Sequence, residues 1–152
     1  MAEYEMQLLK GFNGLPFGAR PEDAEQLFGK PQETEILDGI DPGETLVWHY
    51  WDNGFSLFFE RYFNNRFCCV EIDAPAVLRI FGRNVFELSE SEIKELFKAN
   101  GFQELDEERE NWGEKRISFD DAMADFYFEN GKMISVNYSV IFSDDISPII
   151  PN

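Results

Sequence analysis

Bases, histidine and sulfur are scarce in this chain. Only 13 Lys and Arg stand against 30 Asp and Glu, a formal charge of −17 over 152 residues, with one histidine and two cysteines. Arg61, Arg66, Arg79 and Arg83 are too few and too interrupted by acids to neutralise a phosphate backbone, which excludes nucleic-acid binding. Cys68 and Cys69 are adjacent in a predicted strand and point to opposite faces, so they neither staple the fold nor form a metal knuckle. A reducing compartment, with one buried and one more exposed thiol, is the expectation. No apolar run approaches the length of a membrane span, and the opening MAEYEMQLLKG has acids where a secretory signal has bases. A cytoplasmic protein with no membrane role is expected. Gly11, Gly14 and Gly18 follow no clear strand and precede no Lys-Ser or Lys-Thr pair, so they form no phosphate loop. No cofactor is implied.

Hydrophobic residues, in contrast, make up 43% of the chain and aromatics 16%, with 16 phenylalanines, which places it among folded proteins. A chain of this size hides roughly 69% of its extended surface on folding, enough for one core without staples. The acid excess is spread: residues 1–76 carry 14 acids and 5 bases, and residues 77–152 carry 16 acids and 8 bases. No detachable acidic tail accounts for it. A field of this sign repels phosphates and anionic membranes and attracts basic proteins.

One pattern occurs twice, 69 residues apart. Phe17, Ala24, Leu27 and Phe28 have counterparts at Phe86, Ile93, Leu96 and Phe97, each set preceding an aromatic, β-prone stretch. The spacing predicts an α+β fold: two tandem helix-plus-antiparallel-meander units, about 12–75 and 82–142, packed as one two-layer domain. The first helix opens at Pro21 and closes at Gly29, with Ala24, Leu27 and Phe28 facing inward. The second starts at Ser89, which with Glu92 forms a capping box, and turns Ile93, Leu96 and Phe97 inward. Strands are predicted over 45–51, 55–63 and 66–72, and over 115–119, 122–129 and 132–142. Asp52, Asn53 and Gly54, Asn64 and Asn65, Asp120 and Asp121, and Asn130 with Gly131 supply the turns. Residues 30–44 read as a loop with a short strand near 35–37, and residues 104–114 as an acidic connector. Residues 76–81 either end the first unit or cross to the second, and the proline-rich tail lies on the surface or frays.

Candidate functional residues follow from chemistry that such a core does not use up. In the segment from Val47 to Trp51, alternation puts Trp48 and Tyr50 on one face and His49 with Trp51 on the other. Large rings outside a core are the usual anchors of interfaces, which selects His49, Trp51, Tyr62 and Trp112. Acidic groups at Glu107, Glu108, Asp120 and Asp121 add docking charge. Their spacing matches no calcium or zinc signature.

The stretch LPFGARPEDAEQLFGKPQET resembles the unit opening of the β-lactamase-inhibitor-protein-like fold, also seen in small outer-membrane assembly lipoproteins of the SmpA/OmlA type. Gly18 makes the turn, the helix starts at Pro21, and Gly29, Lys30 and Pro31 close it. The second unit has Ala99, Asn100 and Gly101 and no proline, so the match is firmer over 15–72 than over 84–142. The resemblance implies protein binding through a sheet surface without enzymatic chemistry; no lipobox or signal peptide is present, which speaks against an envelope role. In size, charge and lack of catalytic groups the chain is also similar to immunity proteins. The leading expectation is a non-enzymatic acidic protein-binding module, an inhibitor or immunity protein for a basic partner. Two alternatives stay open: a small hydrolase or ligand-binding domain in which Asp120, Asp121 and His49 converge, and a homodimeric structural protein.

Overall fold

The computed structural model describes residues 3–38, 43–110 and 113–151. Among these residues thirteen strands and two α-helices follow one another: β1 (Glu3–Gln7), β2 (Gly11–Phe12), β3 (Leu15–Pro16), α1 (Pro21–Phe28), β4 (Glu33–Leu37), β5 (Thr45–Tyr50), β6 (Phe55–Glu60), β7 (Arg66–Asp73), β8 (Val77–Ile80), β9 (Arg83–Asn84), α2 (Glu90–Ala99), β10 (Leu105–Arg109), β11 (Glu114–Phe119), β12 (Ala124–Glu129) and β13 (Lys132–Ser139). An antiparallel eight-stranded sheet runs in the order β10-β11-β12-β13-β7-β6-β5-β4. A five-stranded sheet runs β3-β2-β1-β8-β9, with β1 and β8 parallel.

The protein does not adopt the expected α+β arrangement of tandem helix-plus-meander units. Among the described residues the protein is mainly β, 47% strand in sheets of five and eight, with two short α-helices. The layer over the large sheet is to a great extent a second sheet. Its strands are as short as two residues and carry Gly and Pro, so they leave no period-2 signal in the sequence. Within residues 76–81, Val77–Ile80 form β8 of that sheet, which pairs with β1 rather than continuing either meander. The acidic connector over 104–114 contains β10, and the loop over 30–44 contains β4; both are edge strands, where charge is tolerated because one side meets solvent.

Capping and turn chemistry act where the sequence predicts them. Ser89 Oγ accepts from Glu92 N at 3.2 Å while Glu92 Oε1 accepts from Ser89 N at 3.0 Å, closing the start of α2. Asn130 and Gly131 adopt φ of 52° and 80°, the left-handed pair that a two-residue hairpin between β12 and β13 requires.

The core lies between the inner face of the large sheet and the layer of small sheet and helices. Phe97 of α2 meets Phe119 and Phe126 at ring separations of 5.2 and 5.1 Å, and Phe28 of α1 meets Phe55 at 5.1 Å. Tyr4 and Phe12 of the small sheet lie 5.2 and 5.0 Å from Phe55. Tyr138 ties the two sheets together: its hydroxyl donates to Gly11 O at 2.8 Å. A side chain at Gly11 would collide with the carbonyl of Leu15, which is why glycine stands there. Leu27, expected inside, is 54% exposed. An eight-residue helix needs only Ala24 and Phe28 to seat it, and Leu27 instead lines an open concavity of about 580 Å³ with Phe17 and Ile146. Both thiols are partly sheltered, and burial pushes the Cys68 thiol up to about 12 and Cys69 also upward, so the expected contrast of one buried and one more exposed thiol is not found. The tail folds back along the surface, with Ile149 N donating to Ile141 O at 2.8 Å.

Candidate protein-docking face

Alternation along the strands of the large sheet sends most apolar side chains into the core and leaves a mainly polar opposite face, on which Val47, Phe58 and Cys69 form one apolar row. The register then aligns one outward residue per strand across the whole sheet. From one edge, Asp106 lies opposite Ser118, Ser118 opposite Asp125, and Asp125 opposite Asn137. The line continues from Asn137 to Glu71, Ser56, His49 and Glu33 at the other edge. A neighbouring line places Glu108, Arg116, Tyr127, Ser135 and Asp73 opposite one another in turn.

Carboxylates dominate this face. Near the β10 edge Arg116 is surrounded, with Nη2 at 2.9 Å from Asp106 Oδ2 and 3.2 Å from Glu108 Oε2, and Nη1 at 3.8 Å from Asp125. Ser118 Oγ links Arg116 to Asp125 by hydrogen bonds on both sides. In the middle of the sheet the cations run out. Glu71 and Asp73 follow one another on the outward side of β7, and neither makes an ion pair among the described residues. Burial, and then the nearby Asp73, raise the Glu71 carboxyl above its ordinary value, with His49 opposing. Beside them, Ser135 Oγ is buried without a hydrogen-bond partner among the described residues.

At the β4 edge a polar cluster holds the end of this line. His49, 8% exposed, has Nδ1 at 2.7 Å from Ser56 Oγ and Nε2 at 2.7 Å from Glu35 Oε1. Trp51 stacks on the imidazole at 4.1 Å and 9°, and its Nε1 donates to Glu33 Oε1 at 3.0 Å. Serine, histidine and glutamate in a chain invite a nucleophile reading, yet Ser56 is only 3% exposed, which closes its hydroxyl to an acyl substrate.

The structure sorts the residues singled out from sequence. His49 and Trp51 come together as alternation predicted, and Glu108 shares their face on the far edge. Tyr62 is 65% exposed but sits at the opposite end of β6 from Trp51, roughly 20 Å away at about 3.4 Å per residue. Trp112 lies outside the described residues. Glu107 points to the other side of β10, where Lys94 and Lys115 each approach it at 2.6 Å and hold its carboxyl down at about 2. That arrangement fastens α2 to the sheet. Asp121 accepts from Gln103 N at 2.8 Å and Glu104 N at 3.3 Å, and Asp120 N donates to Glu104 O, so this turn anchors the entry to β10. Five strand spacings separate His49 on β5 from the start of that turn at the end of β11, roughly 24 Å, so His49, Asp120 and Asp121 form no common cleft.

Glu71, Asp73, Arg116 and Ser56 escaped the sequence reading. Their signal was the alternation itself: from Cys69 to Asp73 in β7 and from Ser135 to Ser139 in β13 every second residue is polar or small, the pattern of a sheet with one face left open. Among the described residues, no helix is long and apolar enough to cross a membrane. No family model matches the chain, and no curated protein or solved structure matches it.

Proposed function

We propose that this chain is a non-enzymatic acidic protein-binding module, of the inhibitor or immunity type, which presents the outward face of its eight-stranded sheet to a basic partner. The observation that carries this reading is the pair Glu71 and Asp73 in mid-sheet, two adjacent outward carboxylates without an ion-pair partner among the described residues, one of them raised by burial. A protein gains nothing in its own stability from such a pair. A lysine or arginine brought by a partner relieves the repulsion, and the field of −17 speeds its approach. The ring of Trp51, exposed at one end of the face and stacked on His49, supplies apolar area that salt does not screen.

The test is capture from native lysate at low and at high salt on beads carrying the protein, its double variant Glu71→Lys/Asp125→Lys, or the control Glu22→Lys/Glu25→Lys on the exposed side of α1. Both pairs change the net charge equally. The reading expects a basic protein retained by the wild type and the control, lost from the sheet variant and weakened by salt. Equal retention by all three, or capture of acidic proteins only, removes it.

A further inference from the structure

The two edges of the eight-stranded sheet are treated differently by the sequence. Along β10, Asp106 and Glu108 bind Arg116, Glu107 binds two lysines, and Arg109 Nη2 lies 3.3 Å from Glu90, so the edge is a row of satisfied charges. Such charge is one of the usual ways by which a free strand edge avoids pairing with other chains. The β4 edge carries charge of one sign only, Glu33 and Glu35, and no basic residue within the strand. All five of its residues are exposed, none is Lys, Arg or Pro, and Ile36 and Leu37 remain 49% and 43% accessible. The strand is nevertheless fixed in extended form by its pairing with β5 and by side-chain bonds: Trp51 Nε1 donates to Glu33, and His49 Nε2 lies 2.7 Å from Glu35 Oε1. A chain adding to this edge would not have to order it first.

Charge selects what can add. A second copy in antiparallel pairing centred on β4 would set Glu35 directly opposite its own counterpart, between two bodies of −17. Like charges directly opposite destabilise a strand pair. A strand with a lysine or arginine opposite Glu35 and an aliphatic residue opposite Ile36 meets the same edge with both faces matched. We propose that β4 is a strand-addition edge that takes an extended segment of alternating basic and aliphatic residues from the partner as a ninth strand of the sheet. This rests on the reading of a basic partner and assigns where its chain docks.

The probe is a capped octapeptide of alternating lysine and valine, compared at low ionic strength with the same peptide N-methylated at two adjacent central residues. Methylation keeps the charge and blocks both backbone edges. Amide exchange read by NMR is expected to slow within residues 33–37 on the order of tenfold with the first peptide, and the methylated one to bind about tenfold more weakly or worse. The variant Glu33→Lys/Glu35→Lys is expected to lose the effect. Equal binding of the two peptides, with shifts at Glu71 and Asp125 and none in β4, overturns the edge assignment while the docking face stands. Binding of neither peptide removes the attraction on which both readings depend.

Discussion

Replacing Tyr138 by Phe removes one oxygen from the junction of the two sheets and nothing else. That hydroxyl is fully buried, donates to Gly11 O at 2.8 Å and lies 3.4 Å from Gln7 N, so the variant leaves a buried carbonyl unsatisfied while the ring keeps its contact with Phe17. A net loss of about 1.5 kcal/mol is expected, since an orphaned buried acceptor costs about 1–3 kcal/mol. In urea, with a slope of about 2 kcal/mol per molar, the midpoint falls by about 0.7 M and the slope stays unchanged. The pH dependence gives a second reading. Burial raises the Tyr138 hydroxyl above its ordinary value near 10, so the unfolded chain loses this proton first. The stability that the group contributes is complete below pH 10 and declines above it, and the gap between wild type and variant must narrow there. A loss below about 0.3 kcal/mol, or a gap that widens with alkalinity, refutes the assignment of this bond as the tie between the sheets.

Phe97→Ala, which empties the space against Phe119 and Phe126, is expected to cost about 3–5 kcal/mol by chemical denaturation. Ser89→Ala breaks the capping box of α2 and costs about 1 kcal/mol, and Ser89→Asn restores most of it. Glu107→Gln costs about 1 kcal/mol at pH 7, discounted because the carboxylate is partly open to solvent. Its folded value of about 2 lies below the ordinary one, so that contribution is present above about pH 4.5 and disappears as pH falls toward 2; a difference that persists at pH 2 contradicts the ion-pair account. Glu71→Gln acts in the opposite sense: its carboxyl is raised, so ionisation opposes folding, and the variant is expected to melt higher at pH 7 and equally at pH 4.

Elements that announce themselves by local chemistry were legible. Pro21, Gly29, the Ser89 and Glu92 pair, and the Asn-Gly hairpin each bring a backbone requirement of their own, and the structure places helices and turns on them. The cover of the core was not legible, because β2, β3 and β9 are held by pairing and by Tyr138 rather than by any pattern of their own. Tertiary contact made them strands. Edge strands β4 and β10 hid for a related reason: half their backbone groups meet solvent, so acidic residues sit there at little cost and read as loop. Of the site, the shared face of His49 and Trp51 was visible by alternation. The placement of Glu71 between Asn137 and Ser56 was not, since strand order between the two meanders sets it.

Carboxyl footprinting of the complex with the captured basic protein tests the docking face most directly. Carbodiimide labelling of Glu71, Asp73 and Asp125 is expected to fall on complex formation while Glu22 and Glu25 on α1 label as before. Unchanged labelling of the three sheet carboxylates, with protection elsewhere on the chain, would contradict the account.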